Sequence, residues 1–368
     1  MKILIASLSV GAGHMQAAKA LQKTIKQLYP DVECQVADLY DYMGYAFKQI
    51  AVTSYDIMAK RIPELWGYFF DMTNTPKTST AYDQFIDKLK QINAYKWYEF
   101  VQKFRPDHII CTHFLPAELC QNAPAKYKYK GPFSMVVTDY DIHNLWFVEG
   151  TTNYFVATEK MKWKILNRKC KKQPEIIVSG IPIDPEFYTP TPQLDIRKAH
   201  HIPSHLPIIL VLSGGHGMAK SCDIVKTLFK MQTPCAIIAI AGTNENLKEQ
   251  LSDIRVPKHI NYTRIGWTDR MSDYIKSATA VISKPGGLTT TECMVTGTPI
   301  IAIDPIPGQE EYNTDFILEK NLGRIAKTEK DLLYYTDVYL TDSKQKKNQY
   351  IATPAAVTIL TNIITGTN

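Results

Sequence analysis

Short apolar runs recur along the chain, each followed by a longer and more mixed stretch. Ile3–Leu8, Glu33–Asp38, Asp107–Thr112, Phe133–Val137, Tyr154–Ala157 and Ile176–Val178 read as strands. So do Ile208–Leu212, Ala236–Ile240, Ile260–Ile265, Ala280–Ser283, Pro299–Ile303 and Leu322–Ala326. Most lack a strict apolar–polar alternation, which marks strands buried on both faces of a parallel sheet. Behind the first run, Ala17, Ala18, Leu21, Ile25 and Leu28 fall on one face of a helix. This alternation predicts an α/β fold. It restarts after a stretch with six prolines between Pro182 and Pro207, the composition of a linker. The expected division is a first domain over residues 1–182, a linker over 183–207 and a second domain over 208–349. A terminal helix from Tyr350 to Ile364, within 350–368, is free to pack back on the first domain.

Two glycine turns carry candidate chemistry. Ser283-Lys-Pro-Gly-Gly-Leu-Thr-Thr-Thr-Glu292 follows a buried strand and opens a helix from Thr289 onward. Gly286 and Gly287 let the backbone come close to a ligand. The free N–H groups at the positive end of a helix suit a diphosphate. Glu292 lies about one turn into that helix, where an acidic side chain can accept two ribose hydroxyls. One strand later, Gln309, Glu310 and Asn313 add amides and carboxylates, groups that suit sugar hydroxyls. The other turn, Ser9-Val-Gly11-Ala-Gly13-His14, sets His14 at the carboxyl edge of the first strand, where open parallel sheets bind ligands. On local grounds a structural or merely exposed histidine is an open alternative.

Other patterns change the picture less. Gly214 through Ser221 is one residue from a P-loop, with Ile300–Asp304 as its possible acidic strand. Ala219 stands where the P-loop requires glycine. Asp139-Tyr-Asp141 resembles a metal-diphosphate motif only in spacing, and Cys111-Thr-His113 is too little for a metal site. Seven scattered cysteines without a Cys-x-x-Cys predict reduced thiols in the cytoplasm. No apolar run approaches the ~20 residues of a spanning helix. At 368 residues the chain is long enough for two full cores.

The charge is +6, and its placement says more than its size. Up to Gly180 there are 23 Lys and Arg against 17 Asp and Glu; after it the count is 19 against 19. Lysines gather at 126, 128 and 130, and from Lys160 to Lys172 around Trp163 and Leu166. Mixed with apolar side chains, they fit either a solvated helix face or an anionic membrane surface. The aromatic stretch from Asp41 to Met72 fits either a core helix or a membrane-facing segment. No nucleic-acid-binding motif accompanies the charge.

Taken together, these loops resemble glycosyltransferase family 28. Within it the chain looks most like the diacylglycerol-glycosylating members, the bacterial processive glucosyltransferases and the plant monogalactosyldiacylglycerol synthases. The resemblance is carried by Gly11-x-Gly-His14, Val137-Thr-Asp139 with His143 and Trp146, and Val178-x-Gly-Ile-Pro-Ile-x-Pro185. Further on it is carried by Gly215-His-Gly217, Lys284-Pro-Gly-Gly-x-Thr289-x-x-Glu292 and Pro305-x-Pro-Gly-Gln-Glu310. It implies a GT-B fold, two facing Rossmann-like domains with the active site in the cleft between them. By position, Gly286, Gly287, Leu288 and Thr289 would hold the diphosphate of a UDP-sugar, with Gly215 and Gly217 on the same donor. Glu292 would take the ribose, Gln309, Glu310 and Asn313 the hexose, and Trp267, Thr268 and Met271 the uracil. His14 would be the catalytic base with Asp139 beside it, and Gly11, Gly13, His143 and Trp146 would line the acceptor side.

The expected activity is inverting transfer of a hexose from a UDP-sugar to diacylglycerol. Glucose is favoured over galactose because the resemblance is strongest to the bacterial enzymes. No metal or other cofactor is expected, and no nucleic-acid partner. The expected setting is cytoplasmic, peripherally associated with the inner face of the cell membrane, with the basic first domain on its anionic surface. Two alternatives stay open: a UDP-N-acetylglucosamine-type transferase acting on a polyisoprenoid-linked acceptor of cell-wall synthesis, and a P-loop-like nucleotide-dependent enzyme or sensor.

Overall fold

The computed structural model describes residues 1–9, 12–44, 94–168, 173–189, 193–214, 220–341 and 353–366, apart from the side chains of 193–195 and 309. Gly11, Gly215, Gly217, the side chain of Gln309 and most of the Asp41–Met72 stretch lie outside the described residues. The chain forms two compact units. One takes in Met1–Pro185, Ile306–Gln309 and Thr353–Asn368, the other Glu186–Pro305 and Glu310–Ala352.

In the first unit the described elements run β1 (Lys2–Ser7), α1 (Gly13–Leu28), β2 (Glu33–Asp38), α2 (Leu39–Tyr42), α3 (Tyr95–Phe104), β3 (His108–Cys111), α4 (Phe114–Gln121), β4 (Phe133–Val136), β5 (Asn153–Val156), α5 (Glu159–Leu166) and β6 (Glu175–Val178). The strands form one parallel sheet in the order β2-β1-β3-β4-β5-β6. Ile3 to Ala6 are fully buried, as the unbroken apolar run requires of a strand covered on both faces. β1 leads to β2 on one side, and the chain then returns to β3 on the other. That reversal makes the carboxyl ends of β1 and β3 a topological switch point, the place where open α/β sheets bind ligands.

The second unit begins with α6 (Gln193–Ala199), inside the proline-rich stretch. His200, at its end, hydrogen-bonds the Tyr274 hydroxyl at 2.9 Å. The elements continue β7 (Ile208–Leu212), α7 (Ser221–Leu228), β8 (Cys235–Ile240), α8 (Glu245–Ser252), β9 (Ile260–Ile265), α9 (Met271–Ser277), β10 (Ala280–Ser283), α10 (Gly287–Thr296), β11 (Ile300–Ile303), α11 (Gln309–Glu319), β12 (Gly323–Ala326) and α12 (Glu329–Thr341). Its sheet is also parallel, in the order β12-β11-β10-β7-β8-β9. The reversal falls between β7 and β10, which puts the Gly286-Gly287 turn at a second switch point. α13 (Ala355–Thr365) belongs to the first unit, where Ile359, Leu360 and Ile363 bury against a core shared with Ile3, Leu21 and Ile25. Among the described residues no helix is long and apolar enough to cross a membrane.

A buried polar row crosses the first sheet. His108 Nε2 donates to Ser134 Oγ at 2.8 Å, and Ser134 donates to Asn153 Oδ1 at 3.1 Å. Asn153 in turn donates to Glu175 at 2.9 Å and to Asn362 of α13 at 3.3 Å. His108 Nδ1 has no partner among the described residues, and burial pulls the imidazole from 6.5 to about 4. A histidine held neutral in this way adds stability that is complete above 6.5 and is lost as pH falls towards 4. Urea unfolding at pH 7 and pH 4 is expected to show a loss about 3 kcal/mol larger for the wild type than for His108→Gln. Equal losses would mean that His108 is not buried neutral.

Candidate active-site elements

The first switch point is built from hydroxyls that end neighbouring strands. Ser7 closes β1, Thr112 follows β3 and Thr138 follows β4. Thr112 Oγ1 donates to Ser7 Oγ at 2.9 Å and is 3.0 Å from the His14 carbonyl. His14 lies in the first turn of α1 with its Nδ1 3.0 Å from the Thr112 carbonyl and 2.8 Å from Thr138 Oγ1. A carbonyl oxygen only accepts. Nδ1 therefore carries the proton, and in the neutral ring Nε2 is the basic nitrogen.

Burial pulls the His14 imidazole below its ordinary 6.5, against the opposing effects of the Asp139 carboxylate and the bond to Thr112. The ring is thus neutral at pH 7 and ready to accept a proton, and Asp139 favours the imidazolium once formed. His113 meets His14 edge-on at 4.8 Å between ring centroids and stacks on Phe114 at 4.3 Å. Its Nδ1 accepts from the Leu115 N–H at 3.1 Å, capping α4. Burial, and then the neighbouring His14, hold His113 well below the usual histidine range. Trp146 covers the pair, 5.9 Å from His14 and 6.2 Å from His113. His143 caps the short 3-10 turn Asn144–Trp146 by accepting from Leu145 N–H at 3.2 Å.

The structure therefore brings His14, Trp146 and the Asp139 charge together on one unit, with Gly13 opening the helix that carries His14. His143 stands one short turn from Trp146. Asp141, the second carboxylate of the Asp-x-Asp spacing, is bound at both oxygens by Lys164, at 2.6 and 2.7 Å. Among the described residues no group of three or more His, Cys, Asp and Glu side chains is placed to hold a metal ion. The supports of His14, namely Thr112, Thr138 and His113, were not singled out as functional by sequence. The two threonines follow strand ends and His113 opens α4, positions that acquire meaning only with the strand order.

At the second switch point α10 begins at Gly287, two residues earlier than the expected Thr289. Gly286 is its N-cap, with φ −67° and ψ 148°. This backbone suits any residue, and among the described residues a Cβ added there would meet nothing within 4 Å. Neither strain nor crowding in the chain explains a glycine at 286. The N–H groups of Gly287, Leu288 and Thr289 lie in the first helical turn and have no intrahelical acceptor to use. Leu288 is buried, Thr289 is partly exposed, and Glu292 lies one turn from Leu288 and is partly exposed. Ser213 after β7, Ser221 at the start of α7 and Thr290 in α10 each keep a buried hydroxyl without a partner among the described residues.

Glu310 lies in the first turn of α11. Asn313, expected to contact the hexose, is fully buried beneath the surface. Trp267 is exposed in the loop after β9, Thr268 Oγ1 accepts from the Arg270 N–H at 3.0 Å, and Met271 starts α9. Lys220, the lysine of the P-loop-like stretch, pairs with Asp304 at 3.2 Å.

Residues 14–183 match the family model described as monogalactosyldiacylglycerol (MGDG) synthase, and residues 208–358 match the glycosyltransferase family 28 C-terminal domain. A processive diacylglycerol beta-glucosyltransferase of Bacillus pumilus is 28% identical over 349 residues, covering 94% of this chain and 88% of the relative. Its namesake from Bacillus subtilis is 26% identical over 362 residues, covering 94% and 90%. Among solved structures, MurG of Acinetobacter baumannii aligns with a TM-score of 0.60 at 13% identity, covering 99% of each chain. Staphylococcus aureus MnaA, solved with UDP, aligns at 0.62 and 14%, covering 100% of this chain and 96% of the other. These structural likenesses show the GT-B fold.

Proposed function

We propose that this chain, which belongs to glycosyltransferase family 28, moves a hexose from a UDP-sugar to the hydroxyl of diacylglycerol with inversion at the anomeric carbon. The observation that carries the reading is that the first unit, whose match to the MGDG synthase model starts at His14, holds that histidine neutral with its proton on Nδ1. The two Bacillus relatives support diacylglycerol as the acceptor and glucose as the sugar, with galactose as the alternative.

In this reading His14 Nε2 takes the proton of the acceptor hydroxyl as the oxygen forms its bond to the anomeric carbon. The bond to UDP breaks in the same displacement, through a transition state with oxocarbenium character. Asp139 stabilises the imidazolium. The negative charge on the departing diphosphate falls to the N–H groups of Gly287, Leu288 and Thr289 at the positive end of α10. Glu292 takes the ribose, Trp267, Thr268 and Met271 the uracil, and Gln309 and Glu310 the hexose. Gly11, Gly13, His143 and Trp146 serve the acceptor, and Gly215 and Gly217 the donor. The reading routes no step through a metal and places the reaction at a membrane surface, where diacylglycerol resides.

The test is UDP release by purified protein with UDP-glucose and UDP-galactose separately, in the presence of extracted lipid classes. Release that requires diacylglycerol and is faster with UDP-glucose is expected. Release that requires a polyisoprenoid-linked acceptor instead would overturn the assignment of the lipid. Calorimetry on Lys220→Ala separates the P-loop reading. UDP is expected to bind the wild type and ATP not to bind it. ATP binding that is lost in Lys220→Ala would overturn the transferase reading.

A further inference from the structure

His113 stands beside His14 with the opposite tautomer. Its Nδ1 accepts from the Leu115 N–H at 3.1 Å, so that nitrogen carries no proton. Burial and the neighbouring His14 keep the ring neutral, and a neutral ring with a bare Nδ1 has its proton on Nε2. His14 is the reverse, with its proton on Nδ1, directed at the Thr112 carbonyl, and a bare Nε2. The rings meet edge to face with their centroids 4.8 Å apart. An N–H donor and a nitrogen acceptor therefore stand next to each other on neighbouring rings.

Neither nitrogen is used within the protein. Among the described residues the His113 Nε2–H meets no acceptor and His14 Nε2 meets no donor. His113 is only 7% exposed, and an enclosed donor is costly unless a ligand or water supplies its acceptor. The ring is held in place by the cap it makes on α4 and by its stacking on Phe114 at 4.3 Å. Trp146 closes the group, 6.2 Å from His113 and 6.0 Å from Phe114. A partner for these two nitrogens must offer a proton to one and a lone pair to the other, on a body that suits aromatic walls. An alcohol does both with a single oxygen. A carboxylate lacks the proton, and an ammonium lacks the lone pair.

We propose that His113 binds the acceptor alcohol, its Nε2–H donating to the hydroxyl oxygen whose proton His14 Nε2 takes. This rests on the proposed function for the reaction, but the binding of an alcohol does not. His113 holds one lone pair of the oxygen and leaves the other to form the bond to the anomeric carbon, while the O–H proton passes to His14. His113 keeps its own proton throughout. Paired variants separate this donor from the helix cap. His113→Asn keeps an oxygen that can cap α4 but loses the donor, whereas His113→Gln sets an amide N–H near the Nε2 position and caps poorly. Transfer from UDP-glucose to short-chain diacylglycerol is expected to fall about 10- to 100-fold in kcat/KM for the Asn variant. The Gln variant should recover to within about fivefold of the wild type, although it melts lower than the Asn variant. KM for UDP-glucose should stay within about twofold in both. Activity that follows melting temperature instead, or an Asn variant as active as the wild type, would overturn the proposal. A second readout needs no turnover. In the nitrogen NMR spectrum of histidine-labelled protein, short-chain diacylglycerol is expected to shift the Nε2 resonances of both His14 and His113. A shift at His14 alone, or at neither, would overturn the proposal. Both shifts in a protein that transfers no sugar would uphold the alcohol site and refute the proposed reaction.

Discussion

His14→Ala is expected to lower hexose transfer by a factor of about 10²–10⁴, the range that a positioned general base contributes. UDP affinity should be unchanged within about twofold, because the substitution removes a proton acceptor and no donor contact. The pH profile sharpens the test. Burial holds the His14 imidazole below 6.5, so the acid limb of wild-type kcat/KM should lie below that value, and activity should fall only as pH drops through it. In His14→Ala that limb should disappear with the activity. Full activity in the variant would remove His14 from the chemistry.

Gly286→Asp is expected to reduce UDP affinity by about 100-fold or more, since like charges brought together in a binding site cost several kcal/mol. The fold should tolerate the change. The backbone at 286 has φ −67°, and a Cβ there meets no atom of the described residues within 4 Å, so the stability change should stay within about 0.5 kcal/mol. A side chain that harms nothing in the empty protein but abolishes binding is the signature of space reserved for a ligand. Calorimetric titration with UDP, beside a urea melt, reads both quantities. Retained affinity would move the diphosphate away from the first turn of α10.

Much of the architecture was legible in the sequence because parallel sheets write themselves as apolar runs. Ile208–Leu212, Ala236–Ile240 and Ile260–Ile265 were read from composition and are strands with nearly those bounds. Ends were less legible. α10 starts at Gly287 rather than Thr289 because a glycine there adopts helical backbone without a side chain to signal it. The proline-rich stretch looked like bare linker, yet it contains α6, which uses the gap between Pro192 and Pro203.

The candidate site divides in the same way. The Gly286-Gly287 turn and His14 each follow a strand, so local pattern singles them out as candidates. The hydrogen bonds that orient His14 come from Thr112 and Thr138, which are 98 and 124 residues away. Nothing local distinguishes those threonines. They matter because β1, β3 and β4 are adjacent, and strand order is not written in any one segment. Asn313 shows the converse: a polar residue in a polar motif reads as a contact, but its place on α11 buries it completely.

The most direct measurement is the anomeric configuration of the lipid product formed from UDP-α-glucose and diacylglycerol vesicles, read from the proton coupling of the new glycosidic linkage. A β-linked glucosyl-diacylglycerol is the predicted result, the outcome of a single displacement in which His14 takes the acceptor proton. An α-linked product, or UDP release with free glucose and no glycolipid, would contradict it.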